Sequence, residues 1–465
     1  MTKKLIILVV AIALMATMFV GCGGSDKSNS NTTANETANE TGNSAGNTDN
    51  TVEEQPKEVT ITLWQQAANT PQSTLDMQER FQKDNPHIKL NIVETPDTGT
   101  EAVIAAIAAG NAPAAISMGA PTIMSYIYRN ALLPIDDFIA ETPDFANFDP
   151  KQVDAFKVNG KRYAVPYDKY VMGFYYNKKL FAEAGITSTP TTWEEFLETA
   201  KKLTKPEKQQ YGFALNAIQW GSWHFETWVW GAGGDLTKQN PDGTLELTFT
   251  DPAAIKAAEF YRTLKKEKVI QSDETKNLEG LNKDFALGKA AMIYDSINAG
   301  TLAKFVDLGA KAEDIGYFTF PKGPSGQAYT QDGANAFVIP TTKDENVAKA
   351  AWTYIMYANS KEELINTLKE QAAKGSLGAA ILARTDVKVS DIGPIDEEMQ
   401  KVMDESNLIS RPEYYGKGAV GSFADDMVAK IFGNTNSDIK EVFQEYQDKA
   451  ANAVEEFNKA VLESK

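Results

Sequence analysis

One cysteine, Cys22, stands in 465 residues, and none follows it. A disulfide framework is therefore excluded, and the chain beyond that point must be held together by packing. Histidine is almost as scarce, with only His87 and His224. A zinc site of Cys and His ligands has too few ligands to form. After residue 20 there is no long apolar run, whereas a bilayer span needs roughly 20 such residues. Basic residues are outnumbered, with 46 Lys and Arg against 63 Asp and Glu, a net charge of −17. An acidic surface of this kind argues against nucleic acid and against electrostatic binding to anionic lipid.

The first residues carry the one apolar run. Lys3 and Lys4 precede residues 5–20, and Gly21 stands directly before Cys22. That order is a positive n-region, an h-region and a small residue at a cleavage point. Phe19-Val20-Gly21-Cys22 resembles a bacterial lipobox, with Phe19 where that motif usually has Leu. The resemblance implies a lipoprotein signal peptide over residues 1–21, lipidation of Cys22, and anchoring on the outer face of the cell membrane. An ordinary signal peptide that contains a cysteine is the other reading. Residues 25–55 are dominated by Asn, Thr, Ser, Gly and Glu, with Val52 their sole large apolar side chain. Such a segment buries too little to offset the entropy of ordering. Residues 22–56 are thus expected to be a tether, and a flexible coil of about 31 residues reaches roughly 30 Å. Gly42-Asn43-Ser44-Ala45-Gly46 fits G-x-S-x-G, but it lacks the strand and helix that a nucleophile elbow requires.

The body, roughly residues 57–465, is long for one domain and suits two. Val59-Thr60-Ile61-Thr62-Leu63 alternates like a strand, residues 75–83 read as a helix, and Ile88-Lys89-Leu90-Asn91-Ile92 alternates again. A helix over residues 102–109 stops at Gly110, and residues 115–118 are a short apolar run. Strands alternating with helices indicate an α/β fold with a largely parallel sheet. Thr192 to Glu195 has the spacing of a capping box, followed by Trp193, Phe196, Leu197, Ala200 and Leu203 on one helical face. Asp251-Pro252 is an N-cap with proline at N1, opening a helix to about residue 268. Near the end, Ile439, Phe443, Tyr446, Ala450, Val454, Phe457 and Val461 form a stripe that predicts a helix docked on the body.

Three linked stretches point to a family. They are Gly160-Lys161-Arg162-Tyr163-Ala164-Val165-Pro166, then Gly173-Phe174-Tyr175-Tyr176-Asn177-Lys178-Lys179-Leu180-Phe181, then Thr191-Thr192-Trp193-Glu194-Glu195-Phe196. Leu63-Trp64, Ala232-Gly233-Gly234, residues 285–292, residues 333–339 and Ala383-Arg384-Thr385-Asp386 follow in matching order. Together they resemble the extracellular solute-binding proteins of ABC importers, the large class that includes maltose-binding protein. Ala114 stands where that class often has Asp after the proline. The resemblance implies a two-lobed periplasmic-binding-protein-like fold (class II) with ligand in the cleft between lobes. Residues 57–166 and 331–375 would form the first lobe, and residues 167–330 and 376–465 the second. Crossovers would fall near residues 165–168, 329–333 and 374–380. It further implies a small-molecule carbohydrate ligand, a permease as partner, no cofactor and a monomer.

Candidate ligand residues come from aromatics and polar groups near those crossovers. A sugar presents C–H faces to rings and hydroxyls to polar side chains, so its pocket is an apolar platform with a few placed polar groups. Four of the seven Trp are crowded into Trp220, Trp223, Trp228 and Trp230. Trp228 and Trp230 run into glycines and read as packing. Trp220 and Trp223 read as ligand contacts, Trp223 because the resemblance puts a stacking aromatic there. Trp64, Gln65 and Gln66 end the first strand, where Trp64 reads as either ligand contact or core. Tyr167 and Asp168 follow the first hinge proline. Asp295 and Asn298 follow a strand at a position that faces ligand in the family. Asp332 and Asn335 flank Gly333, and Tyr414 and Tyr415 sit in a late loop. Gly416-Lys417-Gly418-Ala419-Val420-Gly421 matches G-x-G-x-x-G, but Arg411-Pro412-Glu413 precedes it instead of a hydrophobic strand, so it reads as a loop entering a helix. A cell-surface glycoside hydrolase and an adhesive lipoprotein are the alternatives. With 63 acidic residues, a pair of carboxylates carries no information.

Overall fold

In the computed structural model the chain is described over residues 57–65, 72–94, 100–218, 220–373 and 377–463. Cys22 and the expected tether lie outside the described residues. Val59–Gln65 and Ile88–Glu94 pair in parallel, from Val59 opposite Ile88 to Gln65 opposite Glu94, with Gln72–Asp84 between them. Alternation buries Ile61 and Leu63 while the helix adds Phe81 beneath them. Leu63 then bridges Ala115 in parallel, completing the strand–helix–strand pattern. Gly110 ends the helix Thr100–Ala109 at φ 73°, a left-handed turn that suits glycine.

The strand Ala164–Asn177 organises the rest. Its first half runs antiparallel to residues 334–338, with Ala164 opposite Val338. Its second half pairs with Ala290–Ser296 and Ile315–Phe318. The partner strand Thr330–Val338 also serves two groups, pairing with Ser410–Pro412 at one end and with Ile116–Gly119 at the other. Its register shifts between Asn335 and Ala336, a bulge that bends it where the two groups meet.

Two sets of apolar clusters lie on either side of this crossing. One holds Phe81, Phe145, Phe148, Trp352 and Ile355, beside a neighbour built on Ile123, Tyr126 and Phe156. The other holds Phe174, Phe196, Phe213, Trp228 and Phe443, beside Tyr175, Phe285 and Phe305. The capping box forms: Thr192 Oγ1 accepts from the Glu195 amide at 3.2 Å, and Glu195 reaches back to the Thr191 amide at 2.8 Å. Trp193, Phe196, Ala200 and Leu203 are buried on the helix it opens. Asp251 is at the N-cap of Pro252–Lys266, yet its side chain makes no cap bond. The last helix, Ile439–Glu463, buries Val442, Phe443 and Ala450 against the second set.

Residues 382–395 differ from expectation. The resemblance assigns residues 381–395 to the second lobe; Ile381 packs against the Tyr175 cluster of the second set, whereas residues 382–395 lean on Gln152, Phe148 and the helix Lys361–Ala373. Ile381 and Leu382 pair with Lys169 and Asp168. The Arg384 guanidinium grips both Asp144 oxygens, at 2.7 and 2.9 Å, and both Asp386 oxygens, at 2.9 and 3.1 Å. Val387, Val389, Ile392 and Ile395 pack with Leu368 of the helix Lys361–Ala373. A buried guanidinium needs carboxylates around it, and Asp144 supplies one from the first lobe. The expected crossing near residues 374–380 lies partly outside the described residues.

Among the described residues no helix is long and apolar enough to cross a membrane. Trp228 is the anchor of the larger core, 1% exposed and in contact with Phe320, Phe260 and Trp193 at centroid distances of 4.7, 5.1 and 5.2 Å. Trp228→Ala should cost about 3–5 kcal/mol in urea unfolding. A loss below about 1 kcal/mol would show that this cluster does not hold the lobe.

Candidate functional site: the inter-lobe cleft

Where the crossing strands part, a cleft of about 1160 Å³ opens between the two sets. One wall is the helix Ala120–Tyr128, contributing Met124 and Tyr128. The other holds Trp230 at the end of the helix Gly221–Gly231, then Asp235, residues 411–419, and Glu456 and Phe457 of the last helix. Tyr170 and residues 332–335 also line it. Gly333 makes room for Tyr170: a Cβ on it would stand 2.2 Å from the ring, which would then have to shift. Gly416, at φ 74°, turns the chain into the helix Lys417–Gly433, so the glycine-rich stretch is a helix entrance.

The cleft gathers Asp332, Asn335, Tyr414 and Tyr415 from the expected residues. Asp332 Oδ2 accepts from Ser410 Oγ at 2.6 Å and pairs with Lys169 Nζ at 2.7 Å. The Asn335 side-chain amide donates to Asp168 Oδ1 at 2.9 Å. Tyr415 donates to the Gly243 carbonyl at 2.7 Å. Its ring meets Tyr128 at 6.1 Å and Phe457 at 5.6 Å, edge to face, and Tyr128 meets Phe457 at 5.8 Å. This trio joins the two walls.

Trp64, Tyr167, Asp168, Trp220, Trp223, Asp295 and Asn298 are not part of the cleft lining. Trp64 is half-buried against the Ile123 cluster. Gln65 ends its strand opposite Glu94, and Gln66 lies outside the described residues. Tyr167 turns to the Ser117 hydroxyl at 2.9 Å and the Phe337 ring at 5.1 Å. Asp168 is exposed outside the cleft lining, where its Oδ1 accepts from the Asn335 side-chain amide. Trp220 is 53% exposed at the mouth of its helix. Trp223 sits one layer behind, with the Tyr170 ring at 6.4 Å and Lys417 Nζ at 5.6 Å in front of it. Asp295 is buried in the second set, where Oδ1 accepts from the Ser296 amide at 2.7 Å. Asn298 caps the helix Ala299–Asp307, accepting from Thr301 at 2.8 Å.

Trp230, Tyr170, Tyr128, Phe457, Asp235 and Arg411 were not singled out as ligand residues by sequence reasoning. Trp230 borders the cleft but is 1% exposed beneath Arg411, which is the packing role the sequence gives it. Arg411 gives no signal in the sequence, because its partners are remote. Its Nη2 donates to Asp235 at 2.7 Å, and its guanidinium lies 4.7 Å from the Trp230 ring and 5.2 Å from that of Tyr329.

Beneath the wall lies a buried polar network. Glu226, fully buried, accepts from the Tyr414 amide at 2.9 Å and from the side chain of Gln331, which also donates to the Trp223 carbonyl. Burial, and then the nearby Glu413, push the Glu226 carboxyl well above its ordinary value. His224, beside it, is pulled down to about 3 by burial and then by Lys417.

A sequence model of the bacterial extracellular solute-binding proteins matches residues 67–364. The chain therefore belongs to that family. The diacetylchitobiose binding protein DasA of Streptomyces coelicolor is 25% identical over 352 residues, 75% of this chain and 76% of DasA. The ABC substrate-binding protein Lmo0181 of Listeria monocytogenes, solved with cycloalternan, superposes with a TM-score of 0.69 at 21% identity, covering 85% of this chain and 99% of that one. Maltose-bound MalE3 of T. maritima gives 0.67 at 19%, over 85% and 100%. The fold is the two-lobed, cleft-bearing one of these binding proteins.

The His224 imidazole has a testable consequence. Unfolded, it takes a proton near 6.5; folded, only near 3. Stability must therefore fall as pH drops through that window, by roughly 1.4 kcal/mol per unit from this group. Glu226 opposes it, because a raised folded pKa favours the folded state as pH falls towards the ordinary value of 4.5. In urea unfolding at pH 7 and pH 4.5, His224→Gln should lose less stability on acidification than the parent protein. Equal losses would contradict a buried neutral imidazole.

Proposed function

We propose that this protein is the carbohydrate-binding receptor of an ABC importer, catching an oligosaccharide in the inter-lobe cleft and presenting it to the transmembrane permease. One observation carries the reading. A cleft of about 1160 Å³ is walled by Tyr128 from one lobe and by Tyr170, Tyr415 and Phe457 on the other side, with carboxylates and amides between them. Rings offer platforms for sugar C–H faces, and the polar groups fix hydroxyls. The volume suits several sugar units. Family membership supports the receptor role, and the ligands of DasA, Lmo0181 and MalE3 support carbohydrate.

The first lobe comprises residues 57–166 and 331–395, and the second residues 167–330 and 396–465. Closure is a hinge motion about the two shared strands, as in other binding proteins of this build. Asp332, Asn335 and Tyr415 contact ligand, joined by Tyr170. The protein works as a monomer, without turnover, held outside the cell through lipid on Cys22. A tether of roughly 30 Å keeps it near the permease.

Titration of the purified protein with oligosaccharides should give saturable binding and no new product by chromatography. At ligand a hundredfold above Kd, stability should rise by about 2.7 kcal/mol. Release of shorter sugars would instead identify a glycoside hydrolase, and no thermal shift with any sugar would favour an adhesive lipoprotein. Separately, Cys22→Ser should move the protein from the membrane to the soluble fraction with unchanged affinity. Retention at the membrane would remove Cys22 as the anchor.

A further inference from the structure

The strongest cations on the cleft wall are already engaged. Arg411 donates to Asp235 at 2.7 Å and is sandwiched against Trp230 and Tyr329. Lys417 Nζ lies 3.0 Å from Glu413 Oε2. Just behind the wall, Lys169 is held 2.7 Å from Asp332. Lys238 faces Glu246 at 3.7 Å on the exposed rim, and Arg129 is likewise not free. Carboxylates outnumber cations on the lining: Asp235, Asp251, Asp332, Glu413 and Glu456 against Arg129, Lys238, Arg411 and Lys417.

A helix start facing a cleft is often an anion site, but here three of the first four amides are already bonded within the chain. The Lys417 amide donates to the Tyr414 carbonyl at 3.3 Å, and those of Ala419 and Val420 to the Gly416 carbonyl at 2.8 and 3.2 Å. Glu413 itself stands just before it, placing a negative charge where an incoming anion would sit.

We infer that the cleft is a charge filter: it takes uncharged oligosaccharides and rejects those bearing carboxylate, phosphate or sulfate, with Asp235 and Glu413 as the residues that set the rejection. An acidic sugar would have to displace one of these carboxylates from its cation and leave it half-buried and unpaired. Hydroxyls impose no such exchange, because they donate to carboxylates that stay paired. The inference rests on the carbohydrate reading of the same cleft.

The test is calorimetric titration of the purified protein with neutral probes (maltotriose, cellotriose, xylotriose, diacetylchitobiose) and acidic ones (trigalacturonate, glucuronosyl-xylotriose, glucose 6-phosphate). The tightest binder should be neutral, with its nearest acidic counterpart at least tenfold weaker. An acidic probe that binds as tightly or more tightly would overturn the filter while leaving the carbohydrate reading intact. Binding of no sugar of either charge would end both. Asp235→Asn exposes Arg411 and should shrink the neutral-to-acidic affinity ratio at least fivefold with the circular dichroism unchanged. Should that variant not fold, Glu413→Gln makes the same test through Lys417. An unchanged ratio in the folded variant would remove the filter from these carboxylates.

Discussion

The structure depends on one constraint: the two lobes share continuous strands. Ala164–Asn177 is 14 residues long and, at about 3.3 Å per residue, spans roughly 46 Å, enough to serve one sheet at each end. Thr330–Val338 runs against it and likewise changes partners along its length. Backbone hydrogen bonds therefore continue from one lobe into the other, and the lobes cannot drift apart as beads on a linker would. What freedom remains is concentrated where the pairing is imperfect. The register slip at Asn335 and Ala336, beside the Cβ-free Gly333, is such a place. The residues at that bend also form part of the cleft, so the hinge and the candidate site are one region.

The buried Glu226 explains how a distant loop is held to that hinge. Its carboxyl group sits under the cleft wall and accepts from two donors, the Tyr414 amide and the Gln331 side chain. Tyr414 belongs to the loop that forms the wall, and Gln331 to the shared strand. A polar group without exposure is costly unless its hydrogen bonds are made. The donors it recruits fix the wall relative to the hinge. An apolar residue of similar size would pack as well, but it would leave the Tyr414 amide and the Gln331 side chain without this partner. The polar choice specifies one arrangement, in the way buried polar groups specify register elsewhere.

Local signals made much of the fold legible. Alternation at residues 59–63 and 88–92, the Thr192 capping box and the stripe of the last helix depend on neighbours within a few residues, and the structure has all of them. The candidate site was harder to read, because its geometry is decided at long range. Trp223 and Trp230 are seven residues apart, nearly two turns, on one helix. Sequence cannot say which of the two borders the cleft. The loop of residues 411–419, some 190 positions away, decides it by placing Lys417 before Trp223 and Arg411 against Trp230. The packing of residues 382–395 is illegible in the sequence for the same reason. Their partner Asp144 is 240 positions from Arg384.

The rings that join the walls connect this geometry to ligand binding. Tyr128 belongs to one lobe, and Tyr415 and Phe457 to the other. Two edge-to-face contacts across the cleft, each worth about 0.5–1.5 kcal/mol, can bias the lobes towards one another without locking them. A ligand lying between the walls touches both lobes at once, so its contact energy and the energy of closure are the same quantity. It shifts the hinge only by the difference between its contacts in the closed and open arrangements. Groups that one wall alone supplies contribute to capture. Groups paired across the cleft also contribute to closure, and the Tyr128 side of the cleft is where this molecule offers them.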